Sequence, residues 1–409
     1  MGIKLMYTYK IGISAKEHDQ FVLSHPQVNL LQSAHWAQVK DNWEHELIGF
    51  YQDDKQVAAA ACLIKRLPLG MTMIYIPRGP IMDYSDFELV NFVMTSLKAY
   101  GKSKRALLIK YDPSLFISQA LIGEERTDND FTLSTIDFLK TIGVEWAGRT
   151  KELEQTIQPR FQANIYAKDF KLQSLSKKAR QSIRTAQNKG VEVIIGSTEL
   201  LEDFSALMKK TEERKHISLR GISYYDKLMT TYANQAYITM ARLNLPKQKT
   251  LIQQQLEEAL SNQQVFTQNS KPGKVAENQN TIKRLERELA FLDKEIQAGK
   301  SIVPLAATLT LIYGRTSENL YAGMDNDFRQ YQAALLTWYH TAEEAFKRGC
   351  QWHNLGGVEN QLDGGLFQFK ARLNPAIEEF AGEFSIPVGP ISKVAMIAYN
   401  LRKKLRSNP

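Results

Sequence analysis

One order of predicted elements, namely strand, turn, strand, helix and strand, occurs twice in this chain and restricts the folds it can adopt. The first copy lies within residues 46–111 and turns its hairpin at Asp53 and Asp54. The second lies within residues 305–355 and contains a long amphipathic helix over residues 331–348. Because regular strand–helix alternation is not seen, a doubly wound fold is disfavoured. We predict an α+β fold with two similar domains, each a mixed sheet flanked by helices.

Shorter signals complete the first half of the chain. Ser33 is a candidate N-cap for a helix predicted over residues 33–43, and a second helix is predicted over residues 87–100. The strand over residues 106–111 is followed by a turn that begins at Asp112.

An inserted helical hairpin is predicted in the second half. Residues 246–266 and 277–298 each have a helical pattern, and helix breakers at residues 269–273 separate them. In the second helix the apolar residues alternate steps of three and four, as in a coiled coil: Ile282, Leu285, Leu289, Leu292 and Ile296. Two such helices run antiparallel and extend about 30 Å. The hairpin suits dimerisation, contact with a large substrate such as tRNA, or bracing of its own domain.

These patterns divide the chain into three parts. We predict a first domain over residues 1–150 and a second over residues 151–245 and 300–409, interrupted by a coiled-coil arm over residues 246–299. The length of 409 residues allows two to three domains of ordinary size.

The chain is basic, with a net charge of +8. Residues 171–189 contain six basic residues and no acid, and residues 402–406 carry a second basic cluster. Such surfaces suit nucleic acid, anionic lipid or phosphate-bearing substrates. The same charge pattern is also typical of a basic surface that is merely exposed to solvent.

Other classes of protein are disfavoured. Cys62 and Cys350 are the two cysteines, both in apolar or aromatic surroundings, which predicts buried free thiols rather than disulfides or a zinc site. The longest apolar run, residues 57–64, is too short to span a bilayer, and no signal peptide is recognised. We expect a cytoplasmic protein.

Four motifs occur in the order known from one family. They are residues 30–40 (LLQSAHWAQVK), 75–80 (YIPRGP), 319–325 (NLYAGMD) and 369–375 (FKARLNP), continued by residues 379–384 (EFAGEF). Together they resemble the Fem/Mur family of tRNA-dependent, peptidoglycan bridge-forming aminoacyltransferases, and within it the MurM/MurN-type branching enzymes. The resemblance spans almost the whole chain, hairpin included. It implies two domains of the GNAT (N-acyltransferase) fold, in keeping with the duplication.

The resemblance also implies a reaction. An aminoacyl group of the alanine or serine class would move from aminoacyl-tRNA to the stem-peptide lysine, or its first branch residue, of a lipid-linked peptidoglycan precursor. The products would be branched muropeptides and interpeptide bridges. Since an aminoacyl ester is already activated, neither a metal nor another cofactor is expected. Which amino acid is transferred, and to which branch position, stays open.

By the family's pattern, Lys370 and Phe369 belong to the catalytic segment. A fixed cation beside the ester carbonyl would stabilise the oxyanion of the transition state, and the resemblance assigns this task to Lys370. The alternation of Phe367 and Phe369 predicts a strand that leaves Lys370 on its other face, directed into the cleft.

The acceptor carries a diphosphate and carboxylates, which basic and aromatic residues bind well. The resemblance points to five substrate-binding residues: Trp36, Lys40, Arg220, Tyr224 and Tyr321. Trp36 and Lys40 lie one helical turn apart, so both can face one groove. Asp112 is a third catalytic candidate that would position or deprotonate the amine, unless the ribose hydroxyl of the tRNA makes a protein base unnecessary.

The basic helix over residues 175–189 offers a surface for tRNA phosphates. Its candidate tRNA-binding residues are Lys177, Lys178, Arg180, Arg184 and Lys189. A C-terminal helix over residues 391–406 is expected to dock on the protein, and its cations could also contact an anionic membrane. The protein is expected to be a monomer.

Two other functions fit parts of the pattern. A coenzyme-A-dependent GNAT acyltransferase would share the fold, but the glycine-rich pyrophosphate loop of such enzymes is not found at either candidate position. A non-enzymatic tRNA-binding protein would explain the basic helix and the arm, yet it would leave the segment around Lys370 without a task.

Overall fold

The computed structural model describes residues 6–389 and 392 of the chain. Within this range the strands are β1 (Tyr7–Ile11), β2 (Glu44–Gln52), β3 (Lys55–Arg66), β4 (Thr72–Arg78), β5 (Ile81–Met82), β6 (Ala106–Pro113), β7 (Phe116–Leu121), β8 (Glu145–Trp146), β9 (Phe161–Tyr166), β10 (Val191–Gly196), β11 (Ala236–Asn244), β12 (Ile302–Tyr313), β13 (Thr316–Met324), β14 (Trp352–Val358), β15 (Ala376–Phe380) and β16 (Phe384–Pro387). The helices are α1 (Ala15–Ser24), α2 (Ala34–Val39), α3 (Phe87–Ser103), α4 (Asp130–Thr141), α5 (Lys177–Asn188), α6 (Leu201–Lys215), α7 (Ile222–Tyr232), α8 (Leu245–Val265), α9 (Pro272–Gln297), α10 (Ala333–Lys347) and α11 (Gly365–Ala371). The predicted C-terminal helix and its basic cluster lie outside the described residues, apart from Ser392.

Within the described residues the strands form two eight-stranded mixed sheets, in agreement with the predicted α+β fold. In the first sheet the order β2-β3-β4-β6 is antiparallel except for the parallel pair β4–β6, which the helix α3 connects. In the second sheet the order β11-β12-β13-β14 repeats this arrangement, with α10 connecting the parallel pair β13–β14. The repeat that the sequence predicted is therefore a repeat of strand order and direction, with a helix connecting the parallel pair in each sheet.

The sheets do not follow the predicted boundary at residue 150. β7 pairs with β15 at the edge of the second sheet, whereas β16, from the end of the chain, lies between β6 and β8 in the first. Sequence position cannot reveal such an exchange, because a short strand pairs with whichever edge offers backbone groups and buries its apolar face. The exchange ties the two halves together, so both can contribute to one site.

Helix α2 is shorter than the helix predicted over residues 33–43. It begins as expected, since the Ser33 side chain accepts a hydrogen bond of 3.1 Å from the backbone N–H of Trp36. It ends at Val39 because Lys40 leaves the helical region, with φ −82° and ψ 56°, and a turn follows. Asp41 and Asn42 in that turn are poor helix formers.

The predicted strand around Lys370 is wrong, because this segment forms the helix α11. The carboxylate of Glu359 accepts hydrogen bonds of 2.9 Å from the backbone N–H groups of Leu366 and Phe367, which satisfies donors at the start of the helix. Because the capping residue lies seven residues upstream, the sequence next to Lys370 contains no signal for the start of a helix. The alternation of Phe367 and Phe369 was therefore interpreted as a strand.

The insertion is a helical hairpin, α8 and α9, between the neighbouring strands β11 and β12. Contacts of Lys249 with Asp293 (2.6 Å) and of Asn278 with the carbonyl oxygen of Ala259 (2.9 Å) show that the helices are antiparallel. The predicted seam residues Ile282, Leu285 and Leu292 are buried, and Leu289 and Ile296 are partly buried. Phe291 contacts Phe328 at 5.2 Å between ring centres, so the arm also packs on its own half.

A buried apolar cluster joins the two halves beside the candidate site. It contains Trp36 and Val39 of α2, Tyr232 of α7 and Leu309 of β12. The side chain of Ser33 also forms a hydrogen bond of 2.7 Å with the hydroxyl group of Tyr232. These contacts fix α2 against the second half.

Other expectations agree with the structure. Cys62 and Cys350 are both buried free thiols. Asp53 and Asp54, with φ of 46° and 66°, form the turn between β2 and β3. Among the described residues, no helix combines the length and the apolar character that a bilayer crossing needs.

Candidate active site

Lys40 lies where α2 of the first half meets α7 of the second. Its ammonium group donates a hydrogen bond of 3.0 Å to the hydroxyl of Tyr224 and lies 4.3 Å from the ring centre of Trp36. Trp36 is buried, so its face forms a floor beneath the cation. Predicted binding residues from distant parts of the chain therefore meet at this point.

Arg220 and Tyr321 complete the same cluster. The guanidinium carbon of Arg220 lies 5.1 Å from the ring centre of Tyr224, and Tyr321 of β13 meets that ring edge-to-face at 6.3 Å. Burial, and then the nearby charge of Arg220, lower the pKa of Lys40 to about 8. Two cations held together in this way favour an anionic ligand, which would relieve their repulsion. All five predicted binding residues are thus brought together.

Lys370, on α11, is 6% exposed. Its ammonium group donates a hydrogen bond of 2.6 Å to the carbonyl oxygen of Gly357 and lies 5.7 Å from the ring centre of Trp338. Burial lowers its pKa to about 8, while the charge of Glu359 opposes this effect. Phe369 packs edge-to-face on Trp338 at 5.3 Å and so helps to hold α11 in place.

The ammonium group of Lys370 lies where β13 and β14 separate. The two strands pair from Thr316–Trp352 to Glu318–Asn354, after which β14 passes through Gly356. A Cβ atom at Gly356 would lie 3.3 Å from Nζ of Lys370 and 4.0 Å from the carbonyl oxygen of Asn319, and its φ of 85° also favours glycine. The buried ammonium group of Lys370 therefore lies beside the point at which the two strands separate.

β13 connects the two clusters. Asn319, beside Gly356, and Tyr321, beside Tyr224, lie two positions apart in this strand. The two clusters therefore lie beside the same stretch of β13, where a bulge shifts the pairing with β12 between Asn319 and Tyr321.

Asp112, the third catalytic candidate, lies at the end of β6. It is 1% exposed, and its carboxylate accepts hydrogen bonds of 2.7 Å from the Tyr75 hydroxyl and from the backbone N–H of Arg78. Burial raises the pKa of Asp112 to about 6, against the opposing effect of the Arg78 charge. Both oxygens are therefore already engaged in holding the loop around Arg78.

Sequence reasoning missed a row of polar residues across the second sheet. Paired positions on β13, β14, β9, β15 and β7 place these side chains on one face: Glu318, Asn354, Gln162, Asn164, Glu378 and Gln119. Burial raises the pKa of Glu318 to about 8 and also raises that of Glu378. The available signal was the presence of acids within strand patterns, as in the segment Ala376–Phe380, where an ordinary core strand would be apolar.

The candidate tRNA-binding residues lie on α5, whose apolar face is buried as predicted. Lys177, Lys178 and Arg184 are exposed. Arg180 donates to the carbonyl oxygen of Gln173, and Lys189 donates to that of Gln330, so these two also stabilise the fold.

Helix α5 is adjacent to the helix that carries Lys370. Arg372, which follows α11, donates a hydrogen bond of 2.5 Å to the hydroxyl of Ser182 on α5. The helix that carries the exposed basic residues therefore contacts the residue that follows α11.

Comparisons with known proteins agree with this architecture. The FemAB family profile matches residues 13–402. The curated lipid II:glycine glycyltransferase of Staphylococcus aureus is 30% identical over 401 residues, which cover 92% of each chain. The crystal structure of FemX aligns with a TM-score of 0.74 at 26% identity, covering 95% of this chain and 99% of that chain.

A more distant structure supports the fold alone. A tandem GNAT protein from the clavulanic acid biosynthesis pathway aligns with a TM-score of 0.50 at 8% identity, covering 94% of this chain and 99% of that chain. The two GNAT-like halves and the family resemblance expected from the sequence are therefore confirmed, and this chain belongs to the FemAB family.

Proposed function

We propose that this protein transfers an aminoacyl group from aminoacyl-tRNA to an amine on the stem peptide of a lipid-linked peptidoglycan precursor. The observation that carries the proposal is the position of Lys370, a buried cation at the gap between β13 and β14. The same strand leads from this gap to the Lys40 cluster through Tyr321. A catalytic cation and an anion-binding cluster thus lie along one path.

The Lys40 cluster suits the diphosphate of the precursor. Lys40 and Arg220 supply two cations, and Tyr224 and Tyr321 add hydroxyl groups and ring faces. A diphosphate bound here would leave the stem peptide free to extend along β13 towards Lys370. The interdomain position of Lys40 makes the site depend on both halves of the protein.

The reaction needs one nucleophile and one oxyanion stabiliser. The neutral acceptor amine attacks the ester carbonyl carbon, and the ammonium group of Lys370 stabilises the negative charge that develops on the carbonyl oxygen. The new C–N bond forms as the C–O bond to the tRNA ribose breaks. The proton lost by the amine ends on the ribose oxygen. Asp112 holds the Arg78 loop rather than taking this proton, since both of its oxygens accept hydrogen bonds.

The exposed cations of α5 suit the tRNA acceptor stem. They lie on the helix that contacts Arg372, directly after the catalytic segment, so phosphate contacts there would bring the 3′ end towards Lys370. Contacts of this kind recognise the phosphate backbone of the tRNA and do not distinguish the amino acid it carries. A pocket near Lys370 would select the amino acid.

The donor amino acid is a small one. The Staphylococcus aureus relative is named for glycine, so glycine joins alanine and serine as a candidate. The stem lysine and its first branch residue are the two candidate acceptors. We place the reaction at the cytoplasmic side of the membrane, where charged tRNA and lipid-linked precursor can meet, and we take the working unit to be a monomer.

Purified protein should be tested with glycyl-, alanyl- and seryl-tRNA against unbranched and singly branched lipid-linked precursors. Mass spectrometry of the products should show one added residue with one of these donors. Acetyl-coenzyme A in place of the charged tRNA is the control for the alternative acyl donor. Transfer from acetyl-coenzyme A alone, or no transfer from any charged tRNA, would overturn the proposal.

A further inference from the structure

The loop between β3 and β4 presents apolar side chains to solvent. Residues 67–71 are Leu-Pro-Leu-Gly-Met, and the side chain of Leu69 is 84% exposed. Pro68 is also exposed, whereas Leu67 and Met71 are half-buried. Single exposed apolar residues are ordinary on protein surfaces, but a run of them in one loop is the kind of patch that marks an interaction surface.

The backbone of this loop holds Leu69 in a conformation that leucine rarely adopts. Leu69 and Gly70 have φ of 61° and 66°, and the N–H of Met71 donates a hydrogen bond of 3.4 Å to the carbonyl oxygen of Pro68. Two successive positive φ values are typical of a type I′ turn, whose first central position favours asparagine, aspartate or glycine. Leucine is strained in this conformation, and its exposed side chain gains little packing in return. Stability of the turn alone would therefore favour asparagine at position 69.

Arg105, in the connection between α3 and β6, holds the loop in place. Its guanidinium group donates a hydrogen bond of 3.3 Å to the carbonyl oxygen of Leu69, and its backbone carbonyl accepts one of 3.1 Å from the N–H of Thr72. A further bond of 2.9 Å joins the N–H of Leu67 to the carbonyl oxygen of Met71. Because the exposed leucine is held in advance, contact with a partner costs little ordering entropy.

The surroundings of the loop are positively charged. The cations on the elements that adjoin it are Lys65, Arg66, Lys102, Lys104 and Arg105. The acids beside them are Glu44, which pairs with Arg66, and Glu46, which pairs with Lys104 at 3.3 Å. The Arg66 side chain is nevertheless 81% exposed. An apolar tip with an excess of cations around it is complementary to an anionic lipid surface, where head groups meet the cations and the acyl boundary takes the apolar residues.

The loop lies at the same end of the first sheet as the Lys40 cluster. Glu44, the first residue of β2, pairs with Ile64 near the end of β3, and the N–H of Trp43 donates a hydrogen bond of 2.9 Å to the carbonyl oxygen of Lys40. The half-buried Trp43 ring has its centre 5.6 Å from the ammonium group of Lys65. Tryptophan is enriched at membrane–water interfaces. A lipid surface at this loop would therefore lie close to Lys40.

We propose that residues 65–71 dock the protein on an anionic lipid surface, with Leu69 inserted at the acyl boundary and the flanking cations at the head groups. The chemistry of the partner follows from the loop and its charges. Only the link to a lipid-linked precursor, held by its diphosphate at Lys40, rests on the proposed function.

The first test uses protein-free vesicles and the full-length protein. The protein should co-sediment with vesicles of equal parts phosphatidylglycerol and phosphatidylcholine, and it should bind phosphatidylcholine vesicles at least about tenfold more weakly. Equal binding to both kinds of vesicle would overturn the proposal. So would no binding to either, which would make a protein the partner of this loop.

Leu69→Asn separates docking from stability. This variant should bind the anionic vesicles at least about fivefold more weakly, because the apolar anchor is lost. Its melting temperature should be equal to or higher than that of the wild type, since asparagine suits a positive φ. Leu260→Asn, at an exposed position on α8, is the matched control and should change vesicle binding less than about twofold. Wild-type vesicle affinity in Leu69→Asn would contradict the assignment.

A charge variant tests the cations. The triple variant Lys65→Gln, Arg66→Gln and Lys102→Gln should bind anionic vesicles at least about tenfold more weakly. The triple variant Lys274→Gln, Lys283→Gln and Arg287→Gln, at exposed positions on α9, removes the same charges and should change binding less than about twofold. An equal loss in both variants would indicate net charge alone and would overturn the docking surface.

A fluorescent label locates the contact. Cys62 and Cys350 are buried, so Leu69→Cys can be labelled selectively with an environment-sensitive dye. Its emission should shift to the blue when anionic vesicles are added, whereas the same dye on Leu260→Cys should not respond. No shift at position 69 under conditions of full binding would place the membrane contact elsewhere and refute the proposal.

Transfer assays connect docking with the reaction. Leu69→Asn should lower kcat/KM for a precursor embedded in anionic vesicles at least about fivefold, and it should leave kcat/KM for a water-soluble precursor without the lipid within about twofold. An equal loss with both precursors would contradict a docking role. Vesicle binding by a wild-type protein that transfers no aminoacyl group would refute the proposed function alone. Transfer by a wild-type protein whose vesicle binding does not depend on Leu69 would refute the docking loop alone.

Discussion

The ammonium group of Lys370 lies 2.6 Å from the carbonyl oxygen of Gly357, at the gap between β13 and β14. This hydrogen bond holds a charged group in a buried position. Burial lowers the pKa of Lys370 to about 8, which corresponds to a cost of about 3 kcal/mol for the charged form in the folded protein. Perturbed pKa values of this kind cluster at functional sites, which is the reason to test Lys370 first.

Lys370→Met should therefore reduce kcat by about 10²-fold, because the oxyanion is deprived of its cation. The melting temperature should change little, since removal of the hydrogen bond and relief of the cost of burying the charge oppose each other. Steady-state kinetics and thermal unfolding measure the two effects. Lys98→Met, at an exposed position on α3, is the matched control and should leave both unchanged. Near-normal turnover in Lys370→Met would remove Lys370 from this role.

Binding of the diphosphate should depend on pH through Lys40. Because the pKa of Lys40 is lowered to about 8, its positive charge is present below this pH and is lost as the pH rises through it. Affinity for a soluble diphosphate-bearing precursor, measured by calorimetry, should fall between pH 7 and pH 9. Lys40→Arg should bind with little pH dependence over this range, since arginine stays charged. The same pH dependence in wild type and Lys40→Arg would assign the effect to another group.

Asp112→Asn should lower stability rather than change the pH profile of turnover. The Asp112 carboxylate accepts from the Tyr75 hydroxyl and from the Arg78 N–H, and an amide can accept only one of these two bonds. The free energy of unfolding should fall by about 1–3 kcal/mol. If Asp112 were the general base, wild-type kcat would rise with pH through about 6, and the variant would lose this acidic limb. That result would contradict the structural role.

Neutralising the exposed face of α5 should weaken tRNA binding and its salt dependence. In the triple variant Lys177→Gln, Lys178→Gln and Arg184→Gln, the slope of log affinity against log salt should decrease by about 0.7–0.9 for each phosphate that the variant no longer binds. A triple variant at exposed positions of the first half, Lys55→Gln, Lys98→Gln and Lys102→Gln, is the charge-matched control. An equal decrease in both variants would indicate a general effect of net charge.

Replacing residues 246–299 with a short turn should leave a folded protein, because β11 and β12 are antiparallel neighbours that a hairpin can join. The melting temperature should fall, since Phe328 would no longer pack against Phe291 and would become exposed. Phe291→Ala in the full-length chain should reproduce part of this destabilisation. We expect tRNA affinity to stay within about twofold of the wild-type value. A larger fall in affinity in the deletion, but not in Phe291→Ala, would show that the arm binds tRNA.

The sequence by itself determined the features that repeat locally. The period of apolar residues predicted the arm, the basic helix and the two copies of the α+β pattern, because side-chain burial in a helix or strand follows its geometry. The motifs around Lys40, Tyr321 and Lys370 pointed to the family. Ser33 was recognised as a helix cap because a cap acts over three residues.

Only the tertiary structure decided how these parts meet. Glu359 accepts hydrogen bonds from backbone N–H groups seven and eight residues later, at the start of α11. β7 and β16 each pair with strands of the other half, across more than a hundred residues of sequence. The row of polar residues from Glu318 to Glu378 forms only when β13, β14, β9 and β15 lie side by side. Such contacts depend on which surfaces come together when the chain folds, and the low-dielectric interior they create shifts the pKa values of Lys40 and Lys370. Sequence spacing carries no record of that burial.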